Sequence, residues 1–269
     1  MTNSVFRDKV IIITGASSGI GQELAYQLAA QGARLSLAAR NAERLEKVRE
    51  ECQARGGKAI AIPTDVSEQT QCAALIQQTV ENYQRIDLLV NNAGITMWAN
   101  FEDLTDLGML EQIMRTNYFG SVYCTHYALP YLKQAQGQIV GISSLTGKTG
   151  VPTRSGYAAS KHAMAGFFDS LRIEIARYGV SVTMVYPDFV ATEVRARAFG
   201  ANGQFLGESP VREKEVMPVE RCVQLILKAM VQRRRELVMS LRGQVGQWLK
   251  LIAPGLVDRI ALHAIEKGR

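Results

Sequence analysis

The sequence predicts an α/β fold: a doubly wound parallel sheet in a single domain, with helices on both faces. Three observations carry that prediction. Strand-like and helix-like segments alternate from residue 9 to about 240, the rhythm of βαβ units with right-handed crossovers. The strand-like runs are nearly continuous apolar stretches, as strands buried on both faces require. A glycine-rich turn stands between the first strand and the first helix, where such sheets take up phosphate groups.

The elements follow in order. The first strand is KVIIITG (9–15), and a helical pattern over 19–31 succeeds it. RLSLAAR (34–40) and KAIAIPTD (58–65) are the next strands, separated by a helix over 42–55. A helix over 68–84 leads to DLLVNNAG (87–94), and a long helix over 107–135 leads to GQIVGISS (137–144). A second long helix over 156–178 precedes VSVTMVYP (180–187), and a helix over 218–234 precedes ELVMS (236–240). Only 188–217 lacks a clear period. It follows the sixth strand, where loops at strand C-termini build sites in such sheets.

Length and composition set bounds. At 269 residues, 47% hydrophobic and 21% charged, the chain fits one large globular domain. Cys52, Cys72, Cys124 and Cys222 are far apart, and His126, His162 and His263 are scattered, so the pattern offers no metal site and predicts free thiols. The N-terminal ten residues have no apolar leader region and no run reaches spanning length. The expectation is a cytoplasmic protein that touches a membrane at most peripherally. Of the net charge of +6, residues 1–217 contribute nothing (21 basic, 21 acidic) and residues 218–269 everything (10 basic, 4 acidic). A neutral body argues against nucleic acid as a partner. A basic, partly apolar tail fits a membrane surface or an acidic partner as well as it fits a solvated helix face.

In TGASSGIG, Gly15, Gly19 and Gly21 enclose Ser17, Ser18 and Ile20. Glycines there permit a tight turn and a close backbone approach to a pyrophosphate, which rests on the positive helix N-terminus. This is the dinucleotide turn of a Rossmann fold. The acidic residue that binds a ribose 2′-hydroxyl in the usual fingerprint is missing: the second strand ends Ala39-Arg40. An arginine can pair with a 2′-phosphate, so NADP(H) is expected over NAD(H). Further on, Tyr157 and Lys161 stand four residues apart with only Ala158, Ala159 and Ser160 between them. In a helix they share one face. A nearby ammonium favours the phenolate and brings a tyrosine towards a working pKa.

Taken together, TGASSGIG, NNAG (91–94), Asn117 in RTNYFGSVY, ISS (142–144) and YAASK (157–161) resemble the short-chain dehydrogenase/reductases, in order and spacing, from about residue 8 to 192. The resemblance implies a nicotinamide-dependent oxidoreductase. It implies that Tyr157 is the proton donor, Ser144 (with Ser143 as the alternative) the hydroxyl that holds the substrate oxygen, Lys161 the ribose contact, and Asn117 the holder of a relay water. Asp65 and Val66 then face the adenine, and Asn91, Ala93 and Gly94 the ribose side. Thr192 then matches the carboxamide contact, and Pro187 and Val190 are further cofactor-binding candidates. One departure stands out: the family has Pro-Gly after the sixth strand, and this chain has Pro187-Asp188. At branch level the likeness is to membrane-associated lipid-ketone and steroid reductases of the acyl-dihydroxyacetone-phosphate reductase type.

Met97, Trp98, Leu145, Val151, Pro152, Phe189, Phe199 and Phe205 are the expected mouth, which suits a small hydrophobic carbonyl or alcohol substrate. Residues 1–242, with a substrate loop at 188–217, form the expected domain, and 243–269 an amphipathic extension of two short helices broken at Pro254-Gly255. That extension has three readings: a membrane contact, a cover for the mouth, or a subunit contact. The long helices 107–135 and 156–178 are the expected seam of a homodimer or homotetramer. Two other functions fit the same fold: an NADP-binding sensor or scaffold, which needs only the glycines, and an epimerase or dehydratase, for which 188–217 is short.

Overall fold

The computed structural model describes residues 4–208 and 216–266. Seven parallel strands form one sheet in the order β3-β2-β1-β4-β5-β6-β7. They are β1 (Val10–Thr14), β2 (Arg34–Ala39), β3 (Lys58–Pro63), β4 (Leu88–Asn91), β5 (Gln138–Ile142), β6 (Ser181–Tyr186) and β7 (Glu236–Val238). The helices are α1 (Gly19–Ala29), α2 (Ala42–Ala54), α3 (Gln69–Tyr83), α4 (Gly108–Met114), α5 (Gly120–Ala135), α6 (Ser155–Ile175), α7 (Val219–Val231), α8 (Leu241–Ile252) and α9 (Pro254–Glu266). Each strand and helix of the sequence reading is present. The long helix over 107–135 is not regular, however: α4 and α5 are joined by a π-helical turn, Arg115–Phe119.

The apolar runs explain the layers. Successive strand side chains point to opposite faces, and both faces here are covered. Ile11 and Ile13 pack with α1, α2 and α7, while Ile12 packs with α3, α5 and α6. All three isoleucines are fully buried, each worth roughly 2 kcal/mol. The chain reverses direction across the sheet between β1 and β4, so the C-terminal ends of those strands diverge and leave a crevice.

Asp87, just before β4, ties the opposite end of the sheet together. Its buried carboxylate accepts from the Val10 N–H at 3.0 Å, Arg85 Nη2 at 2.6 Å and Lys9 Nζ at 3.2 Å. Burial alone raises its pKa, but these donors outweigh that and hold it below the usual carboxylate value. A carboxyl with a depressed folded-state pKa contributes stability above its unfolded value and loses it as pH falls through the folded one. Asp87→Asn is therefore expected to cost about 2 kcal/mol in urea unfolding at neutral pH, and the gap to wild type to narrow below about pH 4.

Candidate active site

At the crevice, Gly15 adopts φ 65°, a left-handed conformation that glycine takes without strain. Gly21 is needed for a different reason: a Cβ there would stand 2.4 Å from the Gly15 carbonyl oxygen and 2.5 Å from Asn92 Nδ2. The helix cap Ser18 makes no side-chain capping bond. The turn is thus a cradle that any Cβ would fill, opening on the first turn of α1, and it fits a dinucleotide pyrophosphate. Asn92 fixes it from β4, donating to the Thr14 and Gly15 carbonyls at 2.9 and 3.2 Å. Thr14 Oγ1 in turn accepts from the Asn92 and Ala93 N–H groups, both at 3.0 Å.

A cavity of about 680 Å³ runs from this turn over the sheet's C-terminal edge. Gly15, Ser17, Ser18, Gly19 and Ile20 line one end, with Arg40, Asp65 and Val66 beside them. Ala93, Gly94, Ser144, Tyr157 and Lys161 line the middle, and Pro187, Val190 and Thr192 the far wall. Three expected residues fall outside the lining. Asn91 turns its amide away to Thr125 Oγ1 at 3.0 Å, because strand alternation points it into α5, and Asn92 takes the position facing the turn. Gly21 acts through spacing. Asn117 is fully buried beneath the floor.

Asn117 acts there as a clasp. Its Oδ1 accepts from the Ile95 N–H and its Nδ2 donates to the Ile95 carbonyl, both at 2.9 Å, and Nδ2 also reaches Ser160 Oγ at 2.9 Å. The π-helical turn aims it at the loop after β4, a common use of such turns at functional sites. Gly94 makes room, since a Cβ would lie 3.2 Å from Asn117 Oδ1 and 3.5 Å from Lys161 Nζ. Asn117 is thereby a positioning residue for the Ile95 backbone and the first turns of α6.

Lys161 Nζ donates to the Ile142 carbonyl at 2.8 Å and lies 5.8 Å from the centre of the Tyr157 ring. Burial lowers its pKa to about 8. Tyr157 is pushed above its ordinary value by burial, while the Arg154 charge and a hydrogen bond with Ser144 act in the opposite direction. Of the two serines, the structure brings Ser144 to Tyr157. Ser143 turns to the Lys161 carbonyl at 3.4 Å.

The mouth differs from expectation in part. Leu145, Val151 and Phe189 line the cavity. Met97 and Phe199 instead form a small core with Met109 and Ile113, held by reciprocal backbone bonds between the 96–98 segment and Phe199. Phe205 stacks on Phe199 at 5.1 Å, Trp98 covers Arg154, and Pro152 does not reach the lining. The extension supplies what they do not: Val245, Leu249, Val257, Ile260 and Ala261 close the cavity from above. Asp188 explains how. It receives two bonds of 2.6 Å from Arg242, and these donors with Ser240 hold its carboxyl below its ordinary pKa despite burial. α8 begins at Leu241, so the domain boundary expected at 242 falls inside a helix.

Two groups escaped the sequence reading. Asn92 is one, hidden beside Asn91 in a doublet that only the strand phase resolves. Arg154 is the other, and its signal was a cation at a helix start, where the dipole disfavours it. Among the described residues no group of three His, Cys, Asp or Glu side chains is placed to hold a metal ion.

A nucleotide cradle, with a half-buried tyrosine and a buried lysine at the strand ends, defines a dinucleotide-binding oxidoreductase. The chain belongs to the short-chain dehydrogenase/reductase family: the family model described as short chain dehydrogenase matches residues 9–202. It is 35% identical over 257 residues to 11-beta-hydroxysteroid dehydrogenase 1A of Arabidopsis thaliana, covering 93% of this chain and 73% of that protein. It is 37% identical over 263 residues to dehydrogenase/reductase SDR family protein 7-like of Dictyostelium discoideum, covering 95% and 81%. The alcohol dehydrogenase of the archaeon Thermococcus sibiricus, solved with 5-hydroxy-NADP, superposes with a TM-score of 0.75 at 25% identity, covering 86% of this chain and 94% of that one.

The lysine provides a test that needs no substrate. Its folded pKa of about 8 lies below the ordinary lysine value of about 10.4, so between those pH values the unfolded chain binds the extra proton and stability rises with pH. At ~1.4 kcal/mol per pH unit the interval amounts to on the order of 3 kcal/mol. Lys161→Met is expected to melt higher than wild type at pH 7, with the difference closing towards about pH 10.

Proposed function

We propose that the protein is an NADPH-dependent carbonyl reductase, running in reverse as a secondary-alcohol dehydrogenase, with an apolar ketone as substrate. The observation that carries this reading is the meeting of Ser144, Tyr157 and Lys161 in one cavity whose far end is the Gly15–Gly21 cradle. The bound nicotinamide would supply the hydride to the carbonyl carbon. Tyr157 gives its phenolic proton to the carbonyl oxygen, and Ser144 holds that oxygen as charge develops on it. The buried ammonium of Lys161 stabilises the phenolate that remains. Asn117 keeps Ile95 and Ser160 fixed around the pair.

NADP(H) over NAD(H) is supported by Ala39 offering no carboxylate and by the exposed Arg40 beside the cradle, with no carboxylate paired to it among the described residues. The ligand of the Thermococcus neighbour points the same way. The apolar cover from α8 and α9, and the hydroxysteroid dehydrogenase names of the plant relatives, support a lipid-like ketone.

The other calls extend this reading. α8 exposes Trp248, Leu251 and Ile252 beside the exposed Lys250, the pattern of an interfacial helix. No helix of the described residues is long and apolar enough to cross a membrane. We therefore assign α8 a peripheral contact with a lipid surface, made from the cytoplasm. Exposed Phe119 and Ile173 on the long helices support a seam with a second copy.

Two experiments test these assignments. Following NADPH oxidation over long-chain, steroid and acyl-dihydroxyacetone-phosphate ketones, we expect turnover that falls at least about 100-fold in Tyr157→Phe. Arg40→Asp should raise KM for NADPH more than for NADH. Tight NADPH binding without turnover on any ketone would favour the sensor reading. In flotation with anionic vesicles, wild type should rise with the lipid, and the full-length triple variant Trp248→Ser, Leu251→Ser, Ile252→Ser should not.

A further inference from the structure

Arg154 lies in the cavity wall and has no role in the reductase reading. It stands three residues before Tyr157 at the start of α6 and is 6% exposed. Its Nε and Nη2 are buried with no hydrogen-bond partner. Its guanidinium lies 3.9 Å from the centre of the Trp98 ring, and that contact fixes its plane. Two other guanidiniums of the wall are matched by acids, Arg242 by Asp188 and Arg197 by Glu193. Among the described residues no carboxylate pairs with Arg154. A second buried guanidinium, Arg195, donates to the Val190 carbonyl and stands close enough for its charge, with burial, to lower the Arg154 pKa to about 10.

A buried cation with unmade hydrogen bonds is costly. The arrangement is consistent with a group that awaits an anion. The cofactor's pyrophosphate belongs at the Gly15–Gly21 end. The Arg154 end is the side where Ser144 and Tyr157 receive the carbonyl.

We propose that Arg154 is the receptor for an acidic group on the substrate, so that the preferred ketone carries a carboxylate or phosphate close to its carbonyl. The inference rests on the reductase reading for the word substrate, but not for the anion site itself. Arg154 and Tyr157 line the same cavity from the start of α6, so an acid held by Arg154 lies on the tyrosine side of it, with the apolar remainder under α8 and α9. A planar guanidinium held by an aromatic face is suited to paired bonds with such a group.

Binding and turnover test the two ideas separately. The chain has two tryptophans, so in a Trp248→Phe background the emission reports Trp98 alone. With NADP⁺ bound, octanoate should give a saturable emission change, and neutral octanamide should bind at least about tenfold more weakly. Arg154→Lys should keep part of that preference. Arg154→Met should lose it while melting no lower than wild type, which shows that the fold survives. In turnover, a medium-chain γ-oxo acid should exceed its methyl ester by about tenfold or more in kcat/KM, through KM, and Arg154→Met should equalise them. Equal binding of octanoate and octanamide overturns the anion site. So does an equal loss of kcat on acid and ester, which would make Arg154 a tuner of Tyr157 only. Selective octanoate binding with no turnover of either compound upholds the site and overturns the reductase reading.

Discussion

An ammonium buried where β5 meets α6 is the constraint around which this site is built. Lys161 is 3% exposed, and water that would solvate its charge is replaced by the Ile142 carbonyl. Keeping a cation in such a place requires rigid surroundings. The rigidity comes from the Asn117 clasp, from the bare Gly94 that lets the β4 loop approach, and from the long α6 that carries Tyr157 one turn away. The return is chemical. A phenol that burial alone would hold protonated has a fixed positive charge at hand for its anion.

The second structural theme is closure. The cavity is floored by strand ends but roofed by α8 and α9, and the roof is attached by charge. Asp188 replaces the glycine the family places after β6, and Arg242 binds it from the first turn of α8. The same helix lines the site with Leu249 and exposes Trp248, Leu251 and Ile252. Arg154 and Tyr157 both line the cavity beneath this roof.

Much of this was legible in the sequence because it depends on local pattern. The apolar runs located every strand, and the glycine spacing located the cradle. The Tyr157–Lys161 spacing put both groups on one helical face. What was not legible depends on phase or distance. Asn91 and Asn92 are chemically identical, and only the pleat of β4 decides which faces the turn. Met97 and Phe199 are large and apolar like true mouth residues, yet long-range backbone bonds pull them into a core of their own. The π-helical turn at Asn117 leaves no trace in composition. The sequence reading left the tail three roles, and the Asp188–Arg242 pair that fixes the start of α8 beside the cavity spans 54 positions, beyond the reach of any local pattern.

The central claim is that this cavity makes Tyr157 an acid whose proton is tuned by the charges around it. The most direct measurement is the phenolate absorbance of wild type minus Tyr157→Phe, titrated against pH with and without saturating NADP⁺. The account predicts a transition above the ordinary tyrosine value in the free protein, where burial dominates, and a shift to lower pH when the cationic nicotinamide binds. A transition that stays in place on saturation with NADP⁺ would contradict it.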